Sequence, residues 1–249
     1  MIERTDHRPF PPPTGPWIMK QIWNDLLFIH WPVAVDALRP FVPATLDIDT
    51  FDGQAWIGLT PFWMSGVRPR WLPSLPWLST FPELNVRTYV TNRSGGERKP
   101  GVFFFSLDAA NPIAVATARR LFQLPYYRAR MAARRLGDGV DYASHRRHPK
   151  APPVSFRARY RPMGDPVHAA RGSLPYFLCE RYCLYTPQSR DHIYRAEIHH
   201  APWPLQAAEA EIMINTMTAP YGIVLPPAKP LLHFARRLEV MVWPLERVL

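Results

Sequence analysis

The chain has 249 residues, 47% hydrophobic and 13% aromatic, which is enough to bury a core in one large domain or two small ones. Its net charge of +10 is nearly all arginine, since Lys20, Lys99, Lys150 and Lys229 are the only lysines. Thirty prolines run from Pro9 to Pro244, each fixing φ and removing a backbone donor, which excludes long helices and predicts short strands with ordered loops.

The N-terminus "MIERTDHRPFPPPTGPW" has no apolar h-region, so residues 1–20 read as a proline-rich extension without a secretory signal. No stretch approaches the ~20 apolar residues of a spanning helix, so a soluble, cytoplasmic chain with no membrane partner is expected. No linker or repeat stands out, which predicts a single domain over residues 1–249. The first strand is predicted from Trp23 to Trp31, followed by a short helix, Val35 to Phe41, stopped by Pro43. "LDIDTFDGQAWIGLTPFWM" reads as a hairpin turning at Asp52-Gly53. Gly66 to Pro82 carries Trp71 and Trp77 among four prolines and is expected to be an ordered loop that acts as a lid or partner surface.

"ELNVRTYVTN" and "GVFFFSLDA" are the clearest strands, joined by the hairpin loop "RSGGERKPG". Asn111 reads as an N-cap with Pro112 at the first helical position, and the helix is expected to reach about Phe122. The densest basic run, Arg128 to Lys150, holds one aromatic and no stacking platform, which argues against nucleic acid. The charge fits an anionic ligand or simply arginine-rich coding equally well. "VSFRARYRP", "YFLCERYCLYT", "HIYRAEIHH" and "HFARRLEVMVW" read as strands, and "LQAAEAEIMINTMT" as a helix. On a strand Cys179 and Cys183 would lie roughly 13 Å apart, too far for a disulfide, so two buried thiols are expected. Together these elements predict an α+β fold, an antiparallel β-barrel or cone with short helices packed outside.

"HWPV…LRPFVP", "IDTFDGQAWIG", "FPELNVRTYV", "FFFSLDA", "LPYYRARM", "RAEIHHAPWPLQ" and "PLLHFARRLEVMVWPL" together resemble the YqjF-like family of uncharacterised bacterial proteins, from about Trp23 to Leu245. That family looks like a branch of the acetoacetate decarboxylase-like superfamily, whose fold is a barrel or cone around a small apolar cavity. In the decarboxylases a strand ending in Asp leads through a helix to a Pro-Lys-Lys segment whose first lysine forms a Schiff base. Here "SLDAANPIAVATARRLFQLPYYRA" keeps that order through Asp108 and Leu124-Pro125, but the lysine pair is replaced by Tyr126 and Tyr127. A phenol forms no iminium, and arginine does not deprotonate, so the resemblance implies the cavity without the decarboxylase mechanism.

Four groups of residues are candidates for the site. Tyr126 and Tyr127 point to opposite faces of an alternating strand. By analogy Tyr126 takes the cavity position, while a capped structural phenol is the competing reading. Glu83, Asn85, Arg87 and Tyr89 share a face that is either solvated or lines a polar cavity. Arg195, Glu197 and His199 share a face with His200 opposite, and with His30 or His233 would make a metal site. Their spacing matches no known ligand motif, however, and no metal or cofactor is expected. Tyr182, with Glu180, would complete an Arg/Glu/Tyr network. No nucleophile elbow, P-loop or dinucleotide fingerprint is present.

The expectation is therefore a protein that binds a small carboxylate or carbonyl metabolite. Tyr126 and Glu83 would be its proton-handling pair, and Arg87, Tyr127, Tyr182, Arg195, Glu197 and His199 its ligand contacts. Two alternatives stand beside it: a lyase or isomerase acting on a keto or enol acid, and an interaction protein using the Trp/Pro-rich loop. A homo-oligomer is compatible with the sequence.

Overall fold

The computed structural model describes residues 4–74, 79–92, 98–188 and 192–248. Its strands are β1 (Met19–Val33), β2 (Leu46–Ile48), β3 (Ala55–Pro69), β4 (Phe81–Asn92), β5 (Gly101–Ala109) and β6 (Tyr126–Leu136). They continue as β7 (Gly139–Arg146), β8 (Ser155–Val167), β9 (Cys183–Pro187), β10 (Ile193–His199), β11 (Leu205–Asn215) and β12 (Leu231–Arg247). Among the described residues, short helices α1 (Val35–Leu38), α2 (Pro112–Leu121) and α3 (Leu174–Cys179) interrupt them. Among the described residues no helix is long and apolar enough to cross a membrane.

The strands form one twelve-stranded sheet in the order β10-β9-β5-β6-β7-β8-β11-β12-β1-β3-β4-β2. Because β4 also pairs with β5, and β10 with β12, that order closes on itself twice. One ring runs β1-β3-β4-β5-β9-β10-β12. The other returns from β5 to β12 through β6, β7, β8 and β11. Of the strands shared by both rings, β4 and β5 are buried along almost their whole length on both faces. Leu27, Ile29, Leu84 and Val86 pack on one side of the shared strands. Leu26, Phe28, Phe62 and Leu107 pack on the other.

Two irregularities set which side chains face inward. In β1 the register against β3 shifts between Asn24 and Ile29, and Asp25 adopts a left-handed φ of 48°. The parity change lets both Trp23 and Leu26 face the same interior. The strained residue is held by its own carboxylate, which accepts from Trp63 Nε1 at 2.9 Å, Arg135 Nε at 2.6 Å and Arg236 Nη1 at 2.6 Å. In β5 the register against β4 shifts between Val86 and Arg87, so Phe104 and Leu107 face the same side despite being three residues apart.

Several sequence expectations need correction. "LQAAEAEIMIN" is strand β11, not a helix. Its Ala and Glu residues favour helix intrinsically, but pairing with β8 wins, with Ala208, Ala210 and Ile212 turned inward and Glu209 bonded to Arg161. "YFLCERYCLYT" is not one strand. Ser173 caps α3, which ends at Cys179, and β9 begins at Cys183. Gly66 to Pro69 continue β3, with Gly66 at φ 60° making the turn of the chain possible. Trp71 beyond them is 84% exposed and lies against Arg70, so it does not pack as a lid, and Trp77 falls outside the described residues. The Asp52-Gly53 turn forms with positive φ at both positions, but β2 pairs with β4 rather than with β3.

Candidate functional site

The first ring encloses a cavity of about 210 Å³. Alternation along β4 sends Leu84 and Val86 into one core and Glu83, Asn85 and Arg87 into this cavity. Thr60 and Phe62 of β3, Gln21 and Trp23 of β1, and Ala196 and Ile198 of β10 supply further wall. Helix α2 covers one side. Asn111 Oδ1 accepts from the N–H groups of Ile113 and Ala114 at its start, and Ala114, Thr117 and Ala118 present a narrow face to the cavity at helical spacing.

After α2 the chain turns sharply at Gln123, φ 52°, and the Tyr126 N–H donates back to the Leu124 carbonyl at 2.8 Å. That tight turn aims Leu124 and Tyr126 both at the cavity. The Tyr126 hydroxyl donates to Glu83 Oε2 at 2.9 Å. Glu83 is only 2% exposed, and burial raises its pKa to about 8, with the Tyr126 hydrogen bond opposing the rise and nearby Asp108 adding to it. Burial beside Glu83 likewise pushes the Tyr126 phenol well above its ordinary value. At neutral pH the pair is a carboxylic acid and a phenol, both protonated.

Arg87 differs from every other buried arginine nearby. Arg181 is neutralised by Asp49 at 2.6 Å and Arg146 by Asp108 at 2.8 Å. Arg87, 8% exposed, has no carboxylate partner among the described residues, and its Nε and Nη2 have no hydrogen-bond partner. It lies 5.1 Å from the Phe28 ring centroid and 5.8 Å from that of Tyr89, cation–π contacts that leave Nε and Nη2 without a hydrogen-bond partner.

The remaining predicted residues lie elsewhere. Tyr127 turns away from the cavity to Arg146, 4.3 Å from its ring, and to His148. Arg195, Glu197 and His199 do share a face of β10, but it is the face opposite the cavity. There Glu197 accepts from Arg8 Nη2 at 3.1 Å and Lys99 Nζ at 2.6 Å, and Arg8 lies close to His199. The proline-rich N-terminal segment therefore packs onto the sheet through a buried ion pair. Tyr182 is also outside the cavity. Its hydroxyl bonds to Glu180, and its ring stacks on His200 at 4.5 Å. Among the wall residues that were missed are Trp23, Arg181, His200 and Trp203. For His200 the signal was present, since it has the opposite parity to His199. Among the described residues no lysine lines the cavity: Lys99 is bound to Glu197 and Lys20 to Glu239.

A twice-closed sheet, antiparallel except where β5 runs parallel to β6 and β9, around a helix-covered cavity is the acetoacetate decarboxylase-like fold. The chain superposes on an acetoacetate decarboxylase from Legionella pneumophila with a TM-score of 0.65 at 12% identity, covering 98% of this chain and 92% of that one. It superposes on the enduracididine biosynthesis enzyme MppR complexed with pyruvate with a TM-score of 0.62 at 11% identity, covering 98% and 93%. Within that fold the chain belongs to the DUF2071 family of uncharacterized conserved proteins, which matches residues 20–239. It is 49% identical over 247 residues to the uncharacterized protein YqjF of Bacillus subtilis, covering 99% of both chains.

Proposed function

We propose that the cavity holds a small carboxylate, with Arg87 as its counter-ion and Glu83–Tyr126 as a pair of hydrogen-bonding acids at the other end. The observation that carries this reading is the buried guanidinium of Arg87, a residue of the cavity wall with no carboxylate partner among the described residues and no hydrogen-bond partner at Nε and Nη2. A guanidinium keeps its charge inside a protein, and a buried charge without an anion is unfavourable until one arrives. Four residues along β4 place Glu83 about 13 Å from Arg87 at the backbone, so the cavity is long enough to separate an anionic end from a neutral one. The likeness to a protein whose structure holds pyruvate supports the same class of ligand.

The test is calorimetric titration with pyruvate, acetoacetate and butanoate, in the native chain and in Arg87→Met. Saturable binding that weakens by at least about tenfold in the variant is expected, because charge-assisted hydrogen bonds are lost. Absence of binding in the native chain, or equal binding in the variant, rejects the reading.

A second reading, a lyase or isomerase on a keto or enol acid, is favoured by one observation. Glu83, at about 8, titrates near the working pH of a general acid or base and is already hydrogen-bonded to a phenol. Proton NMR of acetoacetate in heavy water tests it: Glu83-dependent exchange at the α-carbon supports catalysis, and exchange at the buffer rate leaves only binding.

A further inference from the structure

Three aromatic residues of the cavity wall meet ring to ring. Trp23 stacks on Trp203 with centroids 5.7 Å apart, and His200 lies 5.3 Å from Trp203 and 6.5 Å from Trp23. All three carry a buried nitrogen with no hydrogen-bond partner: Trp23 Nε1, Trp203 Nε1 and His200 Nε2. His200 is fully buried and Trp203 is 2% exposed. The protonation of the imidazole follows from its other nitrogen. His200 Nδ1 lies 2.8 Å from the Ala201 carbonyl oxygen, which only accepts, so Nδ1 carries the proton and Nε2 presents a lone pair. Burial lowers the His200 pKa to about 3, so the ring stays neutral. The cluster thus offers two donors and one acceptor at one end of a cavity.

Resting on the proposed carboxylate at Arg87, we infer that this cluster is a second polar subsite and that it receives a hydroxyl group of the same ligand. A hydroxyl has one proton to give and two lone pairs to receive, the complement of one imidazole nitrogen and two indole N–H groups. A ketone or ether oxygen would satisfy the indoles and leave His200 Nε2 unpaired. A methyl group would leave all three unpaired, which buried polar atoms do not tolerate without loss of free energy. The subsite and Arg87 are linked through one neighbour, Phe28, whose ring centroid lies 5.1 Å from Arg87 Cζ and 4.9 Å from that of Trp203. The ligand class is therefore a short hydroxycarboxylic acid, its carboxylate at Arg87 and its hydroxyl at this cluster. The subsite is held in place, because Tyr182 stacks on His200 and the backbone N–H of Trp203 donates to Glu180 Oε1 at 2.8 Å.

The experiment compares matched pairs by calorimetry in the native chain: butanoate with 4-hydroxybutanoate, pentanoate with 5-hydroxypentanoate, and 4-oxopentanoate as the carbonyl control. One hydroxylated acid should bind about tenfold tighter than its parent, the gain of satisfying otherwise unpaired buried groups, and tighter than 4-oxopentanoate. Trp203→Phe, which keeps a ring but removes the indole Nε1–H, should erase most of that preference by weakening the hydroxylated acid more than its parent. Equal affinity within both pairs, preference for the ketone, or a crystal structure in which an ordered water stays on the three nitrogens beside the bound acid would overturn the inference and leave the carboxylate reading standing. Failure of every acid to bind, parent and hydroxylated alike, would remove both.

Discussion

The phenol of Tyr126 and the carboxyl of Glu83, 43 residues apart in sequence, meet at 2.9 Å in the wall of a cavity. Both are buried, and the phenol is the side-chain donor to the carboxyl. Tyr126→Phe should therefore destabilise the protein by about 1–3 kcal/mol, since Glu83 loses its donor while staying buried. The Glu83 pKa should rise further, because the hydrogen bond that opposed burial is gone. Chemical denaturation and carbon-13 titration of the Glu83 carboxyl check the two parts. An unchanged pKa would mean that the two groups are not coupled.

The pH dependence of stability follows from the same carboxyl. Its folded pKa of about 8 lies above the ordinary value of 4.5, so between those values the folded chain holds a proton that the unfolded chain has released. This contribution is fully present below about 4.5 and is lost as pH rises towards 8. Asp108, raised by burial to about 6, acts in the same direction over a lower window. His200, depressed to about 3, opposes both by losing stability as pH falls below about 6.5. Glu83→Gln, which keeps an acceptor for Tyr126, should raise stability at pH 8 relative to pH 5 when compared with the native chain. Denaturation midpoints at the two pH values measure it, and parallel profiles would contradict it.

Borohydride reduction in the presence of acetoacetate or pyruvate should leave the mass of the protein unchanged. Tyr126 and Tyr127 follow Leu124-Pro125, and no lysine lines the cavity among the described residues. Intact-mass spectrometry checks it. A stable adduct on Lys20, Lys99, Lys150 or Lys229 would show that an amine reaches the substrate by a route other than the cavity wall.

Unfolding should follow a single cooperative transition. The shared strands β12, β1, β3, β4 and β5 wall both rings, so neither core can open without breaking the other. Fluorescence and circular dichroism followed through urea should give coincident midpoints. Two separated transitions would divide the chain into independent domains.

Local chemistry made much of this molecule legible from its residues. The alternation of "ELNVRTYV" separated Glu83, Asn85 and Arg87 from Leu84 and Val86, because successive side chains of a strand point to opposite faces. Asn111 with Pro112 announced α2, because an amide oxygen there satisfies the free N–H groups of a first turn. The order from Asp108 to Tyr126 pointed to the cavity and to the missing lysine. Parity, however, says only that two sets of side chains part company, not which set faces inward. Arg195, Glu197 and His199 were grouped correctly yet face the N-terminal segment, where Arg8 meets Glu197 across 189 residues. "LQAAEAEIMIN" favours helix by composition, and only the open edge of β8 made it a strand. The isolation of Arg87 was equally out of reach of the sequence. Whether a buried charge is paired depends on which carboxylates the closed sheet brings near it, and here the sheet pairs Arg181 and Arg146 and leaves Arg87 without a carboxylate among the described residues.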